Sequence, residues 1–166
     1  FIGHALIDKL VDNGWTIRAL TRKPRTGNGN IQWIRGDLDD TSALHQLIKD
    51  ADAVIHCAGS VRGRSYKEFE HTNVDGTKNL LCAINDQNIT PRFLLVSSLA
   101  ARQPELSWYA KSKYMAEQPI VSSHLPWTVL RPTAVYGPGD KELKPLFQAM
   151  YRGLLPVVGK LDNRFG

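Results

Sequence analysis

The chain has 166 residues, 42% of them hydrophobic and 22% charged, enough to bury the core of one ordinary domain. No run approaches the roughly eighteen continuous apolar residues of a membrane span, and two cysteines, Cys57 and Cys82, cannot build a disulfide framework or a zinc site. The net charge of +5, from 21 basic and 16 acidic residues, comes without long basic blocks or a basic stripe interleaved with aromatics; it suits a phosphorylated small molecule and argues against nucleic acid.

The chain opens at Phe1 directly into a helical pattern, with Ile2, Ala5, Leu6, Leu10 and Val11 on one face, and Asn13-Gly14 supplies a left-handed stop. Trp15–Thr21 is a strand-length run. Asp39, Asp40, Thr41 and Ser42 offer N-cap candidates for a helix carrying Ala43, Leu44, Leu47 and Ile48. Ala53–Ala58 reads as a short apolar strand, 66–85 as a helix with Phe69, Gly76, Leu80 and Ala83 at helical spacing, and Arg92–Ser97 as a strand buried on both faces. Helix 108–118, which Pro119 should end or kink, strand Trp127–Arg131 and helix Leu143–Arg152 continue the cycle. The closing Lys160–Gly166 reads as a loop, so the chain is expected to be a piece cut at both ends. Alternating strands and helices imply parallel pairing through right-handed crossovers, hence an α/β, doubly wound parallel sheet.

Ligands of such sheets bind beyond the carboxyl ends of the strands. Those positions hold Thr21-Arg22-Lys23, Ala58-Gly59-Ser60, Ser97-Ser98 and Arg131-Pro132. The helix before the last strand carries Tyr109 and Lys113, four apart and so on one face. A phenol beside an ammonium is a tunable proton donor, because positive charge favours phenolate. A solvated surface pair is the plain alternative.

Taken in order, these segments resemble the short-chain dehydrogenase/reductase superfamily, and within it the extended NAD(P)-dependent epimerase/dehydratase/reductase group. The resemblance covers nearly the whole chain, as a partial Rossmann-like NAD(P)-binding domain over 1–166. Phe1-Ile2-Gly3 is similar to the end of the family's glycine-rich turn, with the first strand and first two glycines missing. Gly36-Asp37-Leu38 resembles the segment that contacts adenine, Val54–Gly59 the strand ending beside the cofactor, and Asn73–Asn79 the helix after it. Ser98, Tyr109 and Lys113 match the catalytic serine, tyrosine and lysine, with Ser97 as the alternative serine one position away. Arg131–Gly139 matches a loop near the nicotinamide.

The resemblance implies a nicotinamide-dependent oxidoreductase of a carbonyl or alcohol substrate, with cofactor contacts from Gly3, Arg22, Asp37, Leu38, Ala58, Gly59, Lys113 and Pro132 and no metal. A sugar-nucleotide epimerase or dehydratase that retains NAD comes second, because only eleven positions separate Ser98 from Tyr109. A non-catalytic cofactor-binding module is the third reading. Arg22, with no acidic residue beside it, points to NADP(H) in preference to NAD(H). A cytoplasmic setting, no membrane or nucleic-acid partner and room for a homodimer complete the expectation. His56 and Cys57 read as core rather than metal ligands, Trp15, Trp33 and Trp127 as core or rim, Trp108 as core, rim or a wall of the substrate pocket, and Asn73 as a residue that fixes backbone.

Overall fold

The structure, a computed structural model, describes residues 1–27 and 29–154. Residue contacts divide the chain into two units, Ile2–Thr133 and a smaller one that joins Phe1 to the residues from Ala134 onward. The loop expected at Lys160–Gly166 lies outside the described residues.

In the larger unit, α1 (Ile2–Asp12) is followed by β1 (Ile17–Thr21), β2 (Ile31–Arg35), α2 (Thr41–Ile48) and β3 (Ala53–His56). Helix α1 stops as its sequence dictates: Gly14 takes φ +81°, and the amides of Gly14 and Trp15 return to the carbonyls of Val11 and Leu10. Asp40 caps α2 by accepting the Ala43 amide at 3.0 Å. Gly36 turns the chain between β2 and α2 where no side chain fits, since a Cβ there would stand 2.4 Å from that of Ala43. Strand β2, for which the sequence offered no range, carries Ile31, Trp33 and Ile34 with only Ile34 buried.

The helix expected over 66–85 is broken into α3 (Tyr66–Phe69), a π-helical segment (Glu70–Asp75) and α4 (Gly76–Asp86). At the junction Gly76 sits against Leu38, where a Cβ would come within 2.5 Å of the Leu38 side chain, and its amide reaches back five residues to the His71 carbonyl. Then come β4 (Arg92–Val96), α5 (Trp108–Val121) and β5 (Trp127–Leu130). Pro119 does not end α5, which runs on to Val121. It falls in the last turn, where the carbonyl it leaves without a helical donor belongs to exposed Met115.

Both sheets are parallel. One pairs β1 with β2, Ile17 opposite Ile31, and the other has the order β3-β4-β5, with Ile55 opposite Leu94 and Leu94 opposite Thr128. The single doubly wound sheet of the sequence reading therefore appears as two parts. Within each part the strands are parallel neighbours, as in doubly wound Rossmann sheets. The strand ends also fall short: β3 stops at His56, β4 at Val96 and β5 at Leu130. Strand β4, expected to be buried on both faces, buries Phe93 and Leu95 fully and Leu94 and Val96 only in part. The core lies on that deep face, where Leu44 and Ile48 of α2, Leu80 and Ile84 of α4 and Ile120 of α5 close over Phe93 and Leu95.

Replacing Gly36 by alanine is expected to cost about 1 to 3 kcal/mol, the usual penalty of overpacking, because backbone rather than a flexible tip must yield to the new methyl. Denaturant melts of the full-length protein check this, and an unchanged midpoint would show that the turn has slack.

The smaller unit is described to Leu154 and contains α6 (Lys144–Tyr151), one residue shorter at each end than the sequence reading. Asp140 is buried and organises the turn before α6 by accepting the amides of Glu142 at 2.8 Å and Leu143 at 3.1 Å. Tyr136 and Phe147 meet edge to face.

Candidate functional site

In the larger unit the chemistry-bearing residues collect at the carboxyl ends of β3 and β4. Lys113 comes from α5, is 7% exposed, and donates from Nζ to the carbonyl of Val96, the last residue of β4, at 2.8 Å. Burial pushes the Lys113 ammonium below the ordinary lysine range, while Glu117 and then Cys57 oppose that shift. Gly59 stands just after β3, exposed, and a Cβ there would lie 3.0 Å from Asn73 Oδ1 and 3.6 Å from Lys113 Nζ. The missing side chain thus leaves a space lined by an amide and an ammonium.

Asn73 shapes that space. Its Oδ1 accepts the Ser60 amide at 2.7 Å, while its Nδ2 donates to the Ser60 carbonyl at 3.1 Å and to Ser112 Oγ at 2.8 Å. One fully buried amide therefore pins the loop after β3 to α5. It sits in the π-helical segment, a distortion common at functional sites.

Tyr109 is half-buried at the start of α5, its ring edge to face with Phe69 at 6.3 Å. Phe69 in turn fills the place where Gly63 has no side chain, with a Cβ there only 2.9 Å from its ring. Ser107 caps α5 by accepting the Ala110 amide at 3.1 Å, so Tyr109 lies within a well-anchored first turn. The two serines separate clearly. Ser97 is buried and its hydroxyl donates to Glu117. Ser98 is half-buried and its Oγ accepts the Ala100 amide at 3.3 Å, which leaves its proton free to donate.

Gly3 lies in the first turn of α1, where a Cβ would be 3.3 Å from Cys57 Sγ, so the glycine lets α1 approach the end of β3. Cys57 itself is half-buried, and burial pushes its thiol up. Ala58 is exposed on the same loop. Asp37 is exposed and accepts the Asp39 amide, and Leu38 gives its carbonyl to Asn79 Nδ2 at 2.9 Å. Arg22 is exposed beyond β1 on a loop tied by mutual bonds between the Thr21 hydroxyl and the Lys23 backbone. Pro132 is half-buried and its carbonyl accepts the Leu99 amide.

The core and rim expectations resolve individually. His56 is buried against Phe93, Trp33 is half-buried under the Arg25 guanidinium, and Trp15 and Trp127 are exposed rim. Among the described residues no three His, Cys, Asp or Glu side chains gather to hold a metal, and no helix is long and apolar enough to cross a membrane. Sequence reasoning missed Glu117 and its ion pair with Arg131, although its signal was present as the third member of the four-residue ladder 109, 113, 117.

A family model described as the NAD dependent epimerase/dehydratase family matches residues 1–162. The chain belongs to this family. Within its reach, the chain is 38% identical over 168 residues to a ceramide reductase of Caulobacter vibrioides, covering 98% of this chain and 52% of that protein. It is 31% identical over 189 residues to a 2-alkyl-3-oxoalkanoate reductase of Stenotrophomonas maltophilia, covering 99% and 57%. The chain thus spans about half the length of the curated relatives it matches. Among solved structures it is similar to MoeE5 in complex with UDP-glucuronic acid and NAD, with a TM-score of 0.75 and 28% identity over 92% of this chain and 59% of that one.

Proposed function

We propose that the protein is a nicotinamide-dependent reductase or dehydrogenase in which Tyr109 moves the proton, Lys113 orients cofactor and phenol, and Ser98 holds the substrate oxygen. The observation that carries this reading is the buried Lys113 ammonium, drawn by α5 to the carboxyl end of β4 beside the open space at Gly59. Four positions earlier the same helix face presents Tyr109.

The residues present fit a dinucleotide. Gly59 leaves room that any side chain would fill, Gly3 brings the first turn of α1 and its unpaired amides to the end of β3, and Arg22 extends from β1 where a ribose phosphate would lie. Gly3, Arg22, Asp37, Leu38, Ala58, Gly59, Lys113 and Pro132 are the proposed contacts. When bound, the nicotinamide supplies the hydride. Lys113 directs its ammonium at the ribose hydroxyls, Ser98 donates its free proton to the substrate oxygen, and Tyr109 gives that oxygen its proton in the reductive direction.

The substrate we assign is a carbonyl on an apolar chain. Leu106 and Trp108 lie three and one positions before Tyr109 and are 70% and 54% exposed, and Val61, on the loop that packs through Gly63 against Phe69, is 55% exposed. Solvent-facing apolar side chains flanking a proton donor suit an alkyl substrate. The names of the Caulobacter and Stenotrophomonas relatives, a ceramide and an alkyl-oxoalkanoate reductase, agree with that choice. An epimerase reading is favoured by the likeness to MoeE5 with its nucleotide sugar. Full-length enzyme with NADPH and a series of 3-oxoacyl and long-chain keto compounds decides between them by absorbance: net NADPH consumption supports the reductase. Conversion of a UDP-sugar with no change in free cofactor would overturn it.

The basic loop at Arg22, without a neighbouring carboxylate, favours NADP(H). Arg22→Ala is expected to reduce the preference for NADPH over NADH about tenfold, in line with the loss of roughly 1.5 kcal/mol from one charge-assisted bond. Competitive binding of the two cofactors measures this, and a ratio unmoved by the substitution returns Arg22 to a solvated loop.

A further inference from the structure

One helical turn beyond Lys113 on α5 lies Glu117, 2% exposed. A carboxylate at that depth needs partners. The Ser97 hydroxyl and Arg131 Nε both donate to its Oε1, the latter at 3.0 Å, and Arg131 Nη2 donates to Oε2. These partners come from two neighbouring strands, since Ser97 directly follows β4 and Arg131 directly follows β5. Glu117 thus joins the middle of α5 to two strand ends at once, and rotation of α5 about its axis would break all three bonds. Residues 109, 113 and 117 share one helix face, so what fixes Glu117 also fixes the two residues above it.

We propose that Glu117, clamped by Ser97 and Arg131, is a positioning residue that sets where the Lys113 ammonium stands at the carboxyl end of β4. The proposal deepens the assigned mechanism and rests on it for its consequence in turnover. Its geometry is independent of that mechanism: Lys113 Nζ bonds Val96, the residue immediately before Ser97, so the ammonium and the carboxylate clamp hold adjacent points of the same strand end. Charge acts in the same sense. Lys113 is faced by Glu117 from α5, by His56 and Cys57 from the end of β3 and by a carbonyl from β4, and Glu117 is the first of the groups that keep its proton on against burial.

The test follows the Lys113 Nζ titration by NMR in full-length enzyme labelled with 15N-lysine, alongside steady-state kinetics. Glu117→Gln keeps the shape and removes the charge. It is expected to move the Lys113 titration to lower pH and to lower turnover about tenfold, with substrate KM within about threefold of the parent. Ser97→Ala, which leaves the charge in place, should leave the titration at the parental pH, and Glu117→Asp should return it towards that pH. If Glu117→Gln does not fold, Glu117→Met, which removes the same charge while keeping an unbranched side chain, is read the same way. A titration that stays at the parental pH overturns the proposal, whatever happens to Tm, because a purely structural acid would alter stability alone. Failure of the assigned mechanism would show separately, as full turnover in Tyr109→Phe with the Lys113 shift intact.

Discussion

Tyr109→Phe in the full-length enzyme is expected to lower turnover by about 10² to 10⁴-fold, the usual range for loss of a general acid or base, while cofactor affinity stays close to that of the parent. Phenylalanine keeps the ring that meets Phe69 edge to face, so packing and fold should survive the change. Lys113→Met should damage both turnover and cofactor affinity, because its ammonium is assigned to the ribose as well as to the phenol. The two serines make the sharper comparison. Ser98→Ala removes a hydroxyl whose proton is free and should lower turnover with cofactor binding intact. Ser97→Ala removes a donor to buried Glu117, so its main effect should be on stability. Single-turnover kinetics with melts of the same preparations separate these outcomes. Turnover in Tyr109→Phe within about threefold of the parent, far short of a general-acid loss, would refute the mechanism and favour a cofactor-binding module.

How far these features could be read in advance depends on the range of the forces that make them. Asn13-Gly14 and Asp40 act within a few residues, and both cap their helices as the sequence implies. The alternation of strands and helices is equally local, and the parallel pairing follows from it. What the sequence did not disclose was set by distant contacts. The π-helical segment ends at Gly76, which packs against Leu38, 38 positions away, while the helical spacing of Phe69, Gly76 and Leu80 looks unbroken. Pro119 looked like a helix breaker because its position relative to the helix end and to solvent was unknown. Ser97 and Ser98 could not be told apart by alignment to a motif, yet burial and a carboxylate partner separate them at once.

Acidification from pH 7 to about pH 4 should remove a discrete part of the protein's stability through one residue, His56. The ring is 3% exposed, edge to face with Phe93, and its Nε2 lies 3.0 Å from Thr77 Oγ1. Thr77 gives its own proton to the Asn73 carbonyl at 2.7 Å, so it can only accept from His56, which fixes the neutral ring with its proton on Nε2. Burial first, and the Lys113 charge second, push the His56 pKa from 6.5 down to about 4. In the unfolded chain the ring takes up a proton below about pH 6.5, whereas in the folded chain it stays neutral until about pH 4. The unfolded state therefore binds more protons across that window, so stability is full above pH 6.5 and falls as pH drops towards 4. The expected loss is about 3 kcal/mol, from roughly 1.4 kcal/mol per pKa unit. His56→Gln retains a donor to Thr77 and cannot titrate, so it should lose about that much less than the parent over the same interval. Denaturant midpoints of both proteins at pH 7 and pH 4 measure the difference, and carboxylate titration common to the two cancels. Equal acid losses in parent and variant would mean that the folded ring takes its proton as readily as the unfolded one, and that the chain from His56 through Thr77 to Asn73 tolerates a charge at its buried end.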